Sequence, residues 1–154
     1  MTEDRTFLMG KYAARLPGDR YYARNHMWCL PQDDFFRFGF TAYAIRLMQD
    51  VYFLEWHLSV GDTLERTQQI GHIETSKAVS DLFAPMPGRI TTFNQELLAD
   101  PSGINVDGYG AGWLFDMAGP KDSELMSVDQ YYQFLDANWE KTQRHIKGKI
   151  NTED

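Results

Sequence analysis

Apolar and polar positions alternate in short runs along most of the chain, and turn-forming residues separate the runs. Met27–Leu30, Phe35–Phe40, Val51–Trp56, Ile70–Glu74, Val79–Ala84, Arg89–Asn94 and Trp113–Met117 read as strands. Between them lie Pro31-Gln-Asp-Asp34, Gly61-Asp62, Pro85-Met-Pro-Gly88 and the glycine-rich stretch Asp107–Gly112. Helical spacing is rarer. Thr41–Gln49 places Ala44, Leu47 and Met48 on one face, and Asn94 can cap a short helix over Gln95–Ala99 that Asp100-Pro101 stops. The clearest helix opens at Ser127-Val-Asp-Gln130, a capping box, and repeats Val128, Tyr131, Tyr132, Leu135 and Trp139 at helical intervals. Seven short strands with frequent turns predict a mainly β domain, a small sandwich or flattened barrel, closed by a C-terminal helix.

The length of 154 residues fits one domain, and 43% hydrophobic residues suffice for a core without metal or disulfide staples. No linker composition divides the chain. Residues 1–20 read as an N-terminal extension laid on the domain or left mobile, 21–144 as the domain, and 145–154 as a polar tail. Fifteen Lys+Arg against 22 Asp+Glu give a formal charge of −7, which argues against general nucleic-acid binding and attachment to an anionic membrane. The opening twenty residues have neither a signal-peptide core nor the acid-poor composition of a transit peptide. No apolar run approaches the roughly eighteen residues a membrane-spanning helix needs. A soluble, cytoplasmic protein is expected.

Few residues suggest catalysis. The single cysteine, Cys29, excludes an intrachain disulfide and a Cys-based zinc site. It follows Trp28 in a strand without a basic neighbour, so a buried, inert thiol is expected rather than a nucleophile. His26, His57, His72 and His145 show no HxH or HxxxH spacing, and no metal-ligand set is expected from them. Nucleophile elbow, phosphate loop and HExxH motifs are missing. Gly108-Tyr-Gly-Ala-Gly112 precedes a strand instead of a helix, so a tight turn with positive-φ glycines is expected there, not a nucleotide loop. The chain does not read as a self-sufficient enzyme.

One segment stands apart. Two apolar-rich strands flank Thr75-Ser76-Lys77 within residues 70–85, the pattern of a hairpin with lysine at its tip. Composition alone makes that lysine a solvated turn residue. Glu74-Thr-Ser-Lys77-Ala78, however, resembles the E-x-x-K-A attachment hairpin of lipoyl carriers, whose lysine is acylated by lipoate. Biotin carriers flank their lysine with methionines, where this chain has Ser76 and Ala78. Lipoyl domains of 2-oxoacid dehydrogenase complexes carry aspartate before the lysine and continue into an Ala/Pro-rich linker, and neither feature is present.

The chain resembles the glycine cleavage system H proteins from about Tyr21 to Leu135. Tyr22-Ala-Arg-Asn-His26-Met-Trp28 is similar to the family's opening Tyr and His-Glu-Trp strand. Gly39-Phe-Thr-Ala-Tyr-Ala44, Val60-Gly61, Ala84-Pro85-Met-Pro-Gly88, Asn94-Gln-Glu-Leu97, Gly108-Tyr109-Gly-Ala-Gly112-Trp113-Leu114 and Met126-Ser-Val-Asp-Gln-Tyr131 follow in the family's order. The resemblance implies a barrel-sandwich hybrid of the lipoyl/biotinyl-carrier type, with lipoate covalently attached at Lys77 and no catalytic residues. Glu74 and Asp81 would shape recognition by the modifying lipoate ligase or lipoyltransferase and the polarity around the arm. The carrier would shuttle an aminomethyl group and reducing equivalents between glycine decarboxylase, aminomethyltransferase and dihydrolipoyl dehydrogenase.

Several positions depart from the family. Met27 stands where the family has a glutamate that helps hold the loaded aminomethyl group, and Asn25 where a small hydroxyl residue is frequent. Met48-Gln49 replaces Leu-Gly, and Trp56-His57-Leu58 adds a residue. Methionine cannot pair with an ammonium, so Met27 is expected to offer the arm an apolar, polarizable surface. Such a surface suits an H-protein-like lipoate carrier working with heterodisulfide-reductase-like enzymes of sulfur oxidation, the alternative reading. A third is a binding module with this fold that never receives lipoate.

Overall fold

The structure, a computed structural model, describes residues 2–150, with side chains described as far as residue 143. An N-terminal hairpin pairs β1 (Arg5–Met9) with β2 (Tyr12–Leu16). After it come β3 (Tyr21–Tyr22), β4 (Met27–Pro31), β5 (Phe36–Phe40), α1 (Ala42–Met48), β6 (Val51–Trp56), β7 (Thr63–Leu64), β8 (Gln69–Thr75), β9 (Val79–Phe83) and β10 (Gly88–Phe93). The short helices α2 (Gln95–Ala99) and α3 (Gly103–Val106), β11 (Phe115–Ala118) and the long α4 (Val128–Ile150) complete the order. A six-stranded sheet runs β3-β4-β5-β11-β10-β7, and a separate three-stranded sheet runs β6-β8-β9. All seven strands expected from sequence are present within a residue or two of their ends. The terminal hairpin, β3, β7 and α3 were not legible in the pattern.

Period-two alternation on β4 organises the layers. Met27 and Cys29 face a core shared with Phe38, Phe40, Phe115 and Met117 of the same sheet and Leu54, Ile70, Ile73 and Leu82 of the three-stranded sheet. Trp28 points the other way, into a second core with Phe7, Leu16, Tyr22, Tyr43, Tyr131 and Leu135. The six-stranded sheet therefore has the three-stranded sheet on one face and the terminal hairpin with α1 and α4 on the other. Being buried on both faces, β4 reads as a continuous apolar run. Phe7 is the hub of the outer layer, edge-on to Tyr43, Tyr132 and Trp139 at 5.5–5.9 Å.

The caps follow the sequence reading. Thr41 Oγ1 accepts from the Ala44 amide at α1, and Asn94 Oδ1 from Glu96 at α2. At α4, Ser127 Oγ accepts from the Gln130 amide while Gln130 Oε1 accepts from the Ser127 amide, a reciprocal capping box. The helix continues to Ile150, past the start of the expected polar tail at 145; residues 151–154 lie outside the described residues. The glycine-rich turn corrects one expectation. Gly108, Gly110 and Gly112 do not have positive φ; those glycines are Gly10, Gly61, Gly88 and Gly119. Close approach is what requires glycine here: a Cβ at Gly112 would lie 2.6 Å from the Gly103 carbonyl oxygen, and one at Gly108 2.4 Å from Ile45.

Candidate functional site

The lysine hairpin is the β8–β9 turn of the three-stranded sheet. Register pairs Glu74 with Val79 and His72 with Asp81, leaving Ser76-Lys77 as the two residues at the tip. Thr75 shapes the turn. Its hydroxyl oxygen accepts from the amides of Lys77 (3.2 Å) and Ala78 (3.3 Å), and its own amide donates to the Ala78 carbonyl at 2.9 Å. Neither tip residue needs positive φ, so no glycine is called for. Lys77 is exposed, and its ammonium forms no ion pair or hydrogen bond among the described residues.

The tip is fixed to the body of the domain by the segment leaving α1. The Ser76 amide donates to the Asp50 carbonyl at 2.9 Å, and the Asp50 amide to Ser76 Oγ at 3.3 Å. Gln49 ends α1 at φ 64°, and Asn105 holds the segment from α3, donating to the Gln49 carbonyl and accepting from the Val51 amide. Linear reading had no signal for this brace, because its partners lie 26 and more than 50 residues apart. Glu74 and Asp81 share the outer face of the sheet with Glu55 and His72. That face adjoins the tip, and neither acid forms an ion pair or hydrogen bond with Lys77 among the described residues.

His57 and His72, scattered in sequence, are brought together by the antiparallel pairing of β6 with β8. His57 Nε2 lies 3.1 Å from His72 Nδ1, and Glu55 Oε1 is 3.7 Å from each of those atoms. HxH or HxxxH spacing could not reveal donors that meet across a ladder.

Met27 requires a correction. The side chain expected to face the arm is 1% exposed and belongs to the core between the two sheets. Its neighbour His26 instead lies in a turn at φ 70°, against the rings of Tyr43, Tyr131 and Phe134. Burial pushes the His26 pKa down to about 4. The Tyr131 hydroxyl sits between His26 Nδ1 (2.9 Å) and Thr41 Oγ1 (3.0 Å). Asn25 ties the far end of β9 to this region, donating from Nδ2 to the Phe83 carbonyl at 2.9 Å. Beside it is a cleft of about 80 Å³ lined in part by Arg24, Asn25, Arg66, Phe83 and Glu124. Cys29 is fully buried, and burial pushes its thiol up to about 12, so it is inert as a nucleophile.

A three-stranded sheet packed on a larger one, presenting an exposed lysine on a two-residue turn, is the barrel-sandwich hybrid of lipoyl and biotinyl carrier domains. Comparison with known proteins narrows this class. The family described as Glycine cleavage H-protein matches residues 20–138. A probable glycine cleavage system H protein of Natronomonas pharaonis is 39% identical over 118 residues, 75% of this chain and 93% of that protein. The glycine cleavage system H protein of Thermus thermophilus is 34% identical over 126 residues, covering 79% and 97%. The crystal structure of a glycine cleavage system H protein from Mycobacterium marinum superposes with a TM-score of 0.70 at 34% identity, covering 79% of this chain and 99% of that one. The chain belongs to the glycine cleavage H-protein family, a family of non-catalytic lipoyl carriers.

Proposed function

We propose that this protein carries lipoate in amide linkage to Lys77 Nζ. So loaded, it would shuttle an aminomethyl group and reducing equivalents between glycine decarboxylase, aminomethyltransferase and dihydrolipoyl dehydrogenase in the cytoplasm. The observation that carries the reading is the exposed Lys77, whose ammonium forms no ion pair or hydrogen bond among the described residues, at the tip of the hairpin in a chain of this family. A primary amine on a braced two-residue turn can enter the site of a lipoate ligase or lipoyltransferase while its stem lengthens the arm. When attached, lipoate supplies a disulfide that opens and closes by thiol–disulfide exchange. The protein contributes tethering: a short flexible arm keeps its reactive end at high local concentration for each docked enzyme. Thr75, Ser76 and Asp50 hold the point of attachment still, so that mobility is confined to the arm.

Glu74 and Asp81 are assigned to recognition by the modifying enzyme, since both project from the sheet face adjoining the tip. Glu74→Ala is expected to slow lipoylation several-fold in a timed ligase assay without altering thermal unfolding. Equal rates would make the two acids ordinary solvated charges.

One position favours a second reading. With Met27 in the core, β4 presents no carboxylate for a loaded ammonium. The nearby cleft does not select the charge of the arm, because Arg24 pairs with Glu124 at 3.5 Å and Arg66 with Asp122. The absence of the acid from β4 is what favours a carrier for heterodisulfide-reductase-like enzymes, whose arm needs no partner for an ammonium. Reconstitution separates the two. Lipoylated protein, mixed with glycine decarboxylase and labelled bicarbonate, is expected to support exchange of label into glycine, and Lys77→Arg to abolish it. Complete lipoylation without exchange would overturn the glycine reading and favour the sulfur carrier.

A further inference from the structure

We propose that the outer face of the β6–β8–β9 sheet holds a divalent transition-metal site, with Zn²⁺ the ion its donors suit best. The ligands are His57 Nε2, His72 Nδ1 and a Glu55 carboxylate oxygen. Their mutual separations are 3.1, 3.7 and 3.7 Å. A tetrahedral ion with bonds of about 2.0–2.1 Å sets its ligand atoms roughly 3.3 Å apart, so small rotations of the exposed Glu55 and His57 side chains about a held His72 bring all three into range. Two imidazoles and one carboxylate match the preferences of Zn²⁺ and leave its fourth position open to water.

Further features support the site. Glu55 and His72 are direct cross-strand partners, so the sheet itself fixes their spacing. His57 extends the same ladder, its amide donating to the Ile70 carbonyl at 2.8 Å. The other nitrogen of His72, Nε2, lies 3.7 Å from Glu74 Oε2. A small rotation of the half-exposed Glu74 side chain would close this gap to a hydrogen bond and give the carboxylate–histidine–metal arrangement in which an outer acid orients the ring. Phe53 packs against the same ring at 5.5 Å between centroids and limits its rotation. The side chains of Glu55 and His57 are 54% and 42% exposed, so an ion reaches them directly from solvent.

Zn²⁺ titrated into the untagged, unlipoylated full chain after chelator treatment tests the site by calorimetry. Unlipoylated protein avoids competition from the thiols of the arm, and Cys29 is buried. One equivalent is expected to bind. His57→Ala and His72→Ala should each weaken binding at least roughly tenfold, and Glu74→Gln by about tenfold through its effect on His72. In the unsubstituted protein, the imidazole nitrogen resonances of His57 and His72 should shift on Zn²⁺ addition while those of His26 do not. This spectrum serves even if a variant fails to fold. Absence of saturable heat would overturn the site, as would binding unchanged by both histidine substitutions or nitrogen shifts confined to other histidines.

Discussion

Position 27 shows how a single residue changes the account. Sequence comparison suggested that a glutamate there would help hold a loaded arm, but the Met27 side chain is enclosed between the two sheets. A carboxylate at that point would lose hydration without gaining a partner. Met27→Glu is expected to destabilise the fold by about 3 kcal/mol, read as a lower urea midpoint, and not to improve retention of an aminomethyl group. Unchanged stability would mean that the side chain reaches solvent. His26, next to it, carries a pH dependence. Its folded pKa of about 4 lies below the ordinary value of 6.5, so the folded state favours the neutral ring. The associated stability is present above pH 6.5 and is lost as the pH falls towards 4, by at most about 1.4 kcal/mol per pH unit. His26→Asn, which tolerates the positive φ, should flatten urea-unfolding stability across that window. An equally steep acid loss in the variant would assign it to other groups.

At the scale of elements, the three-stranded sheet must be rigid for its tip to present a fixed lysine. Gly71 is the position where this can be broken from within: a Cβ there would lie 2.3 Å from the Glu55 carbonyl oxygen, a backbone atom with nowhere to move. Gly71→Ala should cost about 2–3 kcal/mol and raise amide exchange along β6 and β8 before the rest of the fold opens. Uniform exchange would show that the sheet does not yield separately. The same elements explain what the sequence made legible. Apolar runs closed by turn residues, such as Met27–Leu30 before Pro31, and helices opened by Thr41, Asn94 or Ser127 announce themselves locally. β3 and β7 are two residues long, too short for any period, and the terminal hairpin alternates over only five residues on each side of Gly10. The lysine and its two acids were legible because they lie in one hairpin. The brace from Asp50 and Asn105, and the meeting of His57 with His72, depend on register between distant segments, which no local pattern encodes.

In the whole molecule, the six-stranded sheet divides two tasks. One face and its helical layer supply bulk: the stack of Tyr22 on Tyr131 at 4.6 Å, the Phe7 cluster and the hairpin of residues 5–16 bury aromatic surface around α4. The other face supports the small sheet whose tip carries Lys77. No helix among the described residues is long and apolar enough to cross a membrane. On the proposed function, a carrier so built would do its work through one covalent attachment. The decisive measurement is the intact mass, with peptide mapping, of the full chain after incubation with lipoate, ATP and a lipoate ligase. A single lipoyl increment on the peptide containing Lys77, absent from Lys77→Arg, is the expected result. An unmodified chain, or an increment that survives Lys77→Arg, would contradict it.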